Sequence, residues 1–447
     1  MSEKRRDQWG SSFGFIMAAA GSAVGLGNIW RFPYITGKYG GAAFVLIYLL
    51  VVAIIGCSVM LAEFAIGRNA KLDTVGSFLK LGGKKWAIVG WMGFFCGFVI
   101  LSYYAVIAGW TFAYMFKSLG SLMQNANNAD ASAKLFVSFI SNPIESITYH
   151  LIVMTIVIAI AYKGISEGIE KSCKVLMPLL FVIILILIGR SVTLPGASEG
   201  LNFFINPDFS KINGEAVLAA IGQGFFSLSL AMGIMVTYGS YISKEESLTK
   251  SVRFIVLLDT MVAILSGLVI FPAVFAFGIQ PGAGPSLTFI TLPVVFSKMY
   301  MGGLFSFGFF MLLFIAALTS SISLFEVVVT YAIDQLKWSR TKSALIMGVA
   351  IALLGIPSAL GEGGHIAKIF GRTFLDFIDF ISNNLVMPLG GIFISIFVGW
   401  YWADEAKNEI THNGTIEFPL YKIWLFICKF VAPITIGTIL VVKLAEW

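Results

Sequence analysis

The sequence predicts an all-α polytopic membrane protein, and its composition and hydrophobic pattern both support that fold class. Of its 447 residues, 58% are hydrophobic and only 12% are charged, whereas soluble domains are about 25% charged. The apolar residues form long runs separated by short charged gaps, unlike the alternating pattern of a membrane β-barrel. The 40 Phe and 10 Trp residues suit a packed helical bundle that faces lipid. We expect no soluble domain, because a soluble surface could not cover this much apolar area.

Eleven apolar runs are candidates for membrane-spanning helices, each of which needs about 20 residues. They cover residues 12–37, 41–67, 87–117, 146–162, 173–190, 216–242, 252–278, 303–333, 343–357, 375–402 and 421–443. With the N-terminus inside, the cytoplasmic segments contain 19 Lys and Arg residues and the external segments contain nine. This excess predicts a cytoplasmic N-terminus. We expect external loops at 118–145, 195–214 and 279–302, the last with short helices.

Several function classes fit the sequence poorly. The four cysteines stand singly, without the spacing of a zinc site or a disulfide framework, and the three histidines lie far apart. An intramembrane hydrolase is disfavoured, because no His base or HExxH pattern accompanies a serine. The net charge of +6 comes from basic gaps between spans, which indicates membrane orientation and no nucleic-acid partner. The N-terminal apolar run continues past Gly27 to Pro33, longer than a cleavable signal peptide.

The first and sixth spans differ from the others because glycines and polar residues interrupt them. They read GSAVGLGNIWRFP (21–33) and IGQGFFSLSLAMG (221–233). Glycine weakens a helix, and unwinding inside a membrane is tolerated only where the freed backbone lines a protected cavity. The two spans are five helices apart, as expected for inverted repeats at 12–190 and 216–402, followed by an extra helix at 421–443. The alternative is that these glycines only allow close helix packing, which leaves the polar residues beside them unexplained.

Small polar and acidic residues within other spans are further candidates. Ala316, Thr319 and Ser320 share one face of the eighth span, and their oxygens suit an alkali or alkaline-earth cation. Alternatively, the two hydroxyls bond back to carbonyls of their own helix. Intramembrane carboxylates are functional candidates by default; here they are Glu63, Asp259, Glu326, Asp376 and Asp379.

Five motifs in this order resemble the neurotransmitter:sodium symporter family, and most closely its bacterial amino-acid transporters of the tyrosine or multi-hydrophobic type. They are GSAVGLGNIWRFPY (21–34), EFAIGR (63–68), YY (103–104), GQGFFSLSL (222–230) and LTSSIS (318–323). The similarity extends from Trp9 to the C-terminus, although many members have a twelfth helix. It implies a leucine-transporter-like 5+5 inverted-repeat fold in which helices 1 and 6 unwind at mid-membrane. It also implies sodium-coupled symport, not enzymatic catalysis, in a bacterial cytoplasmic (inner) membrane.

The resemblance assigns ligands for two sodium ions and for an amino acid. The first sodium would bind the Ala23 carbonyl, the side chains of Asn28, Ser227 and Asp259, and the substrate carboxylate. The second would bind carbonyls of Gly21, Val24 and Ala316 and the hydroxyls of Thr319 and Ser320. The substrate residues would be Ala23, Leu26, Gly27, Ile100, Tyr104, Phe226, Ser227, Ser229, Met232, Ser320 and Leu324.

The same resemblance implies a gate at each side of that site. Arg31 with Asp379 would close the outside, directly or through water, with Asp376 as the alternative partner, while Tyr104 and Phe226 would cover the substrate. Residues that would close the inside are Arg6 and Asp334, helped by Trp9, Ser240 and Tyr241. Arg6 could instead be a plain positive-inside anchor. Glu63 would support the unwound backbone of helices 1 and 6.

Two positions suggest the ion and substrate requirements. Asp259 stands where chloride-dependent relatives carry Asn, and Ala263 stands where they carry Ser, so we expect chloride-independent transport. Met232 stands where a leucine-selective relative has Phe, and its flexible thioether suits aromatic rings. We therefore expect uptake of hydrophobic or aromatic L-amino acids, with tyrosine, tryptophan and leucine favoured. The expected partners are the amino acid, sodium and the lipid bilayer, with no obligate protein partner; a channel or a non-transporting sensor is the alternative.

Overall fold

The computed structural model describes residues 7–278 and 287–445, and within these ranges the chain is helical and contains no strand. Nine helices there are long and apolar enough to cross a membrane, and a bent pair makes a tenth. The helices are named α1a (Ser12–Ala23), α1b (Gly27–Lys38), α2 (Ala42–Ala70), α3 (Ala87–Lys117), α4 (Pro143–Ala161), α5 (Ile165–Val192), α6a (Gly214–Ser227), α6b (Ile234–Gly239), α7 (Leu248–Ala276), α8 (Gly302–Asp334), α9 (Arg340–Glu362), α10 (Phe374–Tyr401) and α11 (Tyr421–Ala445).

Most predicted spans coincide with these helices, but the fifth and ninth are longer than predicted. The prediction placed the apolar runs between charged gaps, whereas α5 begins eight residues earlier than the expected 173, at Ile165. Its first turns contain Glu170, which pairs with Lys174 at 2.6 Å one turn later. Charged side chains paired in this way are compatible with a helix end at the membrane surface.

Two of the predicted loops contain helices. Residues 118–145 include Ser121–Asn125 and Ala129–Ile140, and 195–214 includes Ala197–Ile205. The sequence reading missed them because each buries one apolar face on the protein and is too short to span. The expected short helix after residue 279 is confirmed as Leu287–Ser297; residues 279–286 lie outside the described ranges.

Both predicted helix interruptions are confirmed. The axes of α1a and α1b differ by 52°, and Val24 at the break has an extended conformation (φ −70°, ψ 96°). Six residues, 228–233, separate α6a from α6b. Three of them have positive φ, namely Ser229 at 52°, Ala231 at 60° and Gly233 at 78°. Because non-glycine residues rarely adopt positive φ, this break must be held by surrounding contacts.

The interrupted helices lie against a packed centre. α3 and α8 pack on each other, α1a packs on α5, α7 and α8, and α6b packs on α2. The most apolar stretch of α8 is entirely buried, as expected for a helix at the centre of a bundle. The two ends of the molecule are called the Trp9 end and the Arg31 end below, after residues at the start of α1a and within α1b.

Candidate functional site

A cavity of 30 Å³ lies between the two helix breaks, α3 and α8. Ten of the eleven predicted substrate residues line it, together with three that were not predicted to contact substrate, Ser22, Gly25 and Ile234. The remaining predicted residue, Leu26, lies next to it and donates its backbone N–H to Tyr104 Oη at 3.2 Å. This volume is far below the roughly 300–1,000 Å³ of typical small-molecule sites, so the wall residues lie close together in this conformation.

The cavity wall has a polar side and an apolar side. Hydroxyls and backbone at the breaks form the polar side, and Ile100, Met232 and Leu324 form the apolar side. Phe226 covers it towards the Arg31 end, where the Arg31 guanidinium carbon lies 5.2 Å from the ring centroid. A small cavity with polar groups at one side and apolar side chains at the other suits an amphiphilic small molecule.

The residues predicted for the first sodium site form one buried hydrogen-bonded cluster. Asn28 Nδ2 donates to Asp259 Oδ1 at 2.7 Å and to Ser227 Oγ at 3.0 Å. Ser227 Oγ donates to Asp259 Oδ2 at 2.8 Å. The side-chain oxygens of these residues and the carbonyl of Ala23 are the hard ligands that a sodium ion requires, so the donor set fits the ion.

Two further residues complete this cluster, and the sequence reading missed both. The Tyr48 hydroxyl is 3.2 Å from Ser227 Oγ and donates to Asp259 Oδ2 at 3.4 Å. Ser266 Oγ donates to the Asn28 carbonyl at 2.6 Å. Ser266 follows Asp259 by seven residues, two turns along the same face of α7, which is a pattern that could have identified it. No local pattern marks Tyr48.

The residues predicted for the second sodium site also meet, where α1a ends against α8. Ser320 Oγ donates to the Ser22 carbonyl at 3.0 Å and reaches the Val24 carbonyl at 3.5 Å. Thr319 Oγ1 bonds to carbonyls of its own helix, including Ala316 at 3.1 Å. The back-bonding alternative therefore holds for Thr319 and not for Ser320. A Cβ on Gly21 would lie 3.3 Å from Thr319 Cβ, so that backbone is adjacent too.

Glu63 supports the break in α6. Its Oε1 accepts a hydrogen bond from the Ala231 backbone N–H at 2.7 Å, which stabilises one of the positive-φ residues. Its other oxygen has no hydrogen-bond partner among the described residues. The expected hydrogen bond to the break of α6 is thus present. Among the described residues, Glu63 makes no such bond to the unwound backbone of α1.

At the Arg31 end, the predicted gate is not joined by a direct ion pair. Within the described ranges no nitrogen of Arg31 lies within 4 Å of an Asp379 oxygen, and Arg31 faces a cavity of 460 Å³. Asp379 Oδ1 instead accepts from Asn383 Nδ2 at 2.7 Å. The direct form of this pair is therefore absent here, because Arg31 packs on Phe226. The water-bridged form stays a prediction, and the alternative partner Asp376 is exposed.

The Trp9 end is closed by packing and hydrogen bonds. Trp9 Nε1 donates to the Tyr238 carbonyl at 3.1 Å, and its ring meets those of Tyr238 and Tyr241 edge-on. The Tyr241 hydroxyl donates to Glu326 Oε1 at 2.8 Å, and Glu326 pairs with Arg340 at 2.6 Å.

The ion pair predicted at this end, Arg6 with Asp334, is not described by the structure. Arg6 lies outside the described residues. Its expected partner Asp334 accepts from the Asp73 backbone N–H at 2.7 Å. Ser240 bonds to the Thr237 carbonyl at 2.5 Å. The pair of buried Glu326 and partly buried Arg340 was not predicted as part of this gate, because Arg340 entered the prediction only as a charge near a span end.

Comparison with solved structures places this arrangement in a known fold. The chain superposes on the crystal structure of MhsT in complex with L-phenylalanine with a TM-score of 0.88 and 45% sequence identity. The match covers 98% of this chain and 100% of that chain. At this level of identity the likeness extends beyond the fold to the sequence.

Curated relatives and a family model agree with that match. The uncharacterized sodium-dependent transporter YhdH of Bacillus subtilis (strain 168) is 38% identical over 439 residues, covering 98% of this chain and 97% of its own. The sodium-dependent nutrient amino acid transporter 1 of Drosophila grimshawi is 27% identical, covering 93% and 73%. A model of the sodium:neurotransmitter symporter family matches residues 6–135 and 133–447. The chain belongs to the sodium:neurotransmitter symporter family and is a sodium-dependent membrane transporter, not an enzyme.

Proposed function

We propose that this protein takes up hydrophobic or aromatic L-amino acids together with sodium, by alternating access and without chloride. The observation that carries the proposal is the meeting of both helix breaks with the hydroxyls of α8 around one cavity. A zwitterion is costly to bury unless both of its charges are met. Half-helix ends supply amide N–H groups for its carboxylate and carbonyls for its ammonium group and for cations.

In this proposal the amino acid and two sodium ions occupy adjoining positions. The substrate carboxylate would lie near the backbone of Leu26 and Gly27 and the Tyr104 hydroxyl, next to the cluster of Asn28, Ser227 and Asp259. A sodium ion that touches the carboxylate makes each ligand favour the other, typically by about 1–3 kcal/mol. The second sodium would lie between α1a and α8, on the carbonyls of Gly21, Val24 and Ala316 and the hydroxyls of Thr319 and Ser320.

The apolar wall supports the substrate class. Ile100, Met232 and Leu324 offer no charged partner to a substrate side chain, and Met accommodates rings of different shape. MhsT, whose fold this chain shares, was crystallised with L-phenylalanine. We expect tyrosine, tryptophan and leucine to be taken up in preference to glycine or glutamate.

In this proposal, alternating access opens the two ends of the molecule in turn. α1, α2, α6 and α7 would rock against α3, α4, α8 and α9, opening the Arg31 end to the outside and the Trp9 end to the cytoplasm of a bacterial cell. Three polar residues of the two interrupted segments, Ser22, Ser227 and Ser229, meet at one cavity beneath Tyr104 and Phe226. A continuous polar pore would favour a channel instead.

Uptake into proteoliposomes tests the proposal. Labelled leucine or tryptophan should accumulate above equilibrium when sodium is imposed outside, and the accumulation should disappear when potassium replaces sodium. Binding without accumulation would identify a sensor, and downhill flux without sodium coupling would identify a channel. Better competition by glycine or glutamate than by tyrosine, tryptophan and leucine would refute the substrate class.

A further inference from the structure

Four buried serines connect both helix breaks to α8, and the proposed function uses only two of them as ligands. Ser22 lies in the last turn of α1a, Ser229 lies in the break of α6, and Ser320 and Ser323 lie on α8. Their side chains are all buried. We refer to these four residues as the serine cluster.

Ser22 is the residue on which the other three converge. Its carbonyl oxygen accepts hydrogen bonds from Ser229 Oγ at 2.9 Å and from Ser320 Oγ at 3.0 Å. Its hydroxyl oxygen accepts a bond from Ser323 Oγ at 2.7 Å. One residue of α1a is therefore held by the break of α6 and by α8 at the same time.

Because of its position in the chain, Ser22 can fix the orientation of neighbouring backbone carbonyls. It stands between Gly21 and Val24, whose carbonyls are proposed ligands of the second sodium. The regular helix ends there, because Val24 is already extended, so helical hydrogen bonds no longer fix where these carbonyls point. A cation binds best to ligands whose orientation is fixed by neighbouring hydrogen bonds.

We propose that Ser323 is a positioning residue for the second sodium site and that it acts through Ser22. Ser323 follows Ser320 by three residues, and is assigned no sodium or substrate contact itself. Because Ser22 also lines the amino-acid cavity, the same bond links the sodium site to the substrate site. This inference rests on the function proposed above and adds a residue to it.

The local geometry allows the bond to be removed without leaving a buried hydroxyl unsatisfied. Ser323 Oγ also lies 2.8 Å from the Ser320 carbonyl of its own helix. In Ser22→Ala, the Ser323 hydroxyl can therefore bond back to α8. A change in sodium affinity in this variant then reports on the position of the α1a backbone, not on an orphaned polar group.

Ser321 provides a matched control on the same helix. It is fully buried, like Ser323, but its Oγ donates at 2.8 Å to the Ala317 carbonyl of α8 itself. Ser321→Ala and Ser323→Ala thus delete the same atom at the same depth of burial. Only the second deletion removes a bond to α1a.

The measurement is the sodium concentration that gives half of the thermal stabilisation of the purified protein, without amino acid and with choline as the balancing cation. The absence of amino acid favours the second site, because the first would use the substrate carboxylate. We expect Ser323→Ala and Ser22→Ala each to raise this concentration by roughly threefold to tenfold, and Ser321→Ala to leave it unchanged. The double variant Ser22→Ala/Ser323→Ala should match the single variants, because all three lack the same bond.

Other results would overturn the inference. It fails if Ser323→Ala behaves like Ser321→Ala, or if the effects of the two single variants multiply in the double variant. Should Ser323→Ala not fold, Ser22→Ala carries the test, and an unchanged sodium dependence in it is the negative result. A wild-type protein that sodium does not stabilise relative to choline would refute the proposed sodium coupling itself.

Discussion

At the scale of single residues, Asp259 is the carboxylate of the proposed first sodium site. It is completely buried and accepts hydrogen bonds from Asn28, Ser227 and Tyr48. In the proposed function, this carboxylate would supply a fixed negative charge beside the first sodium. That charge is the reason to expect transport without chloride.

Asp259→Asn removes this charge while keeping the shape of the side chain. We expect the sodium concentration for half-maximal uptake to rise at least roughly tenfold, because a nearby charge is worth several kcal/mol to a buried ion. Wild-type uptake should not change when gluconate replaces chloride, whereas uptake by the variant should be stimulated by chloride. Asp130→Asn, at an exposed residue of the helix Ala129–Ile140, is the control. Wild-type uptake that collapses in gluconate would contradict the prediction.

Met232 is expected to set the size of the accepted side chain. Met232→Phe replaces a flexible side chain of the cavity wall with a rigid ring, so leucine should be favoured over tryptophan by roughly tenfold relative to wild type. Competition of tryptophan against labelled leucine uptake measures this shift. Met311→Phe, at a residue of α8 outside the cavity wall, should leave the ratio unchanged; an equal shift in both variants would argue against a role in selectivity.

The sequence predicted most of the residues at the cavity but not all of their partners. Motif similarity identified the wall because those residues stand in or beside short, recognisable segments of the first, third, sixth and eighth spans. Tyr48 and Asp259 are 211 positions apart and on different helices. Only the folded chain brings such a pair together, and neither position carries a local pattern that predicts the contact.

At the scale of helices, the interruption of α1 depends on glycines that let side chains approach its backbone. A Cβ on Gly25 would lie 2.9 Å from Ser320 Oγ and 3.1 Å from the Tyr104 hydroxyl oxygen. These distances are shorter than ordinary contacts, so the break would have to shift away from α8 and α3.

We therefore expect Gly25→Ala to weaken sodium-dependent retention of labelled leucine by roughly tenfold or more, since poorly tolerated insertions into packed sites cost about 1–3 kcal/mol. Gly222→Ala is the matched control, because a Cβ there meets nothing within 4 Å. Equal retention by the two variants would show that close approach at Gly25 is not needed for binding.

The short helix Thr74–Gly82 contains a pH-sensitive cap outside the membrane-spanning helices. The Asp73 carboxylate caps it by accepting from the N–H groups of Val75 at 2.9 Å and Gly76 at 3.1 Å. Burial raises the pKa of Asp73 to about 6, although its bonds to Gln335 and to the cap N–H groups oppose the shift. The nearby Asp334 carboxylate adds to the upward shift.

Because the folded-state pKa is raised, protonated Asp73 favours the folded protein. This contribution is complete below about pH 4 and is lost as the pH rises through about 6. Wild-type stability should therefore fall by about 1–3 kcal/mol across that window from this group alone. Asp73→Asn keeps a capping side chain and should lack this part of the decline in thermal unfolding in detergent. An identical decline in the variant would contradict the assignment.

Sequence patterns predicted the two helix breaks but not all of the short helices. Glycine and polar composition marked both helix breaks, since the cause of the unwinding is local. The helix Ala129–Ile140 was missed because its stability is tertiary: Ser132 Oγ donates to the Ile290 carbonyl at 2.7 Å, and Phe136 stacks on Phe289 at 5.1 Å. The partner helix is about 150 residues further along the chain, so the sequence around Ala129–Ile140 does not predict these contacts.

At the scale of the whole molecule, the Trp9 end and the Arg31 end differ in how they are closed. Packing, hydrogen bonds and the Glu326–Arg340 pair seal the Trp9 end. A 460 Å³ cavity reaches Arg31 at the other end, with Phe226 between it and the small central cavity. Which end opens depends on the free-energy difference between two arrangements of the same helices, and no sequence pattern reports that difference.

Trp9→Ala should shift this balance towards a form that is open at the Trp9 end, because the substitution removes a hydrogen bond and three ring contacts, with Phe15, Tyr238 and Tyr241. The reporter is Thr237→Cys in a Cys57→Ala background, since the other three native cysteines are buried. We expect its maleimide labelling rate to rise roughly tenfold, which corresponds to about 1.4 kcal/mol. The same substitution at the opposite end, Trp30→Ala, should not raise it, and equal labelling in both would contradict the assignment.

The 30 Å³ central cavity has a kinetic consequence. This volume is far below the roughly 300–1,000 Å³ that ligand sites usually offer, so residues of the wall must separate before an amino acid with an aromatic or branched side chain can enter. If this closed form predominates and opening precedes association, the observed rate constant of binding will level off at high ligand concentration instead of increasing linearly. The plateau value would then be the frequency with which the unliganded protein opens.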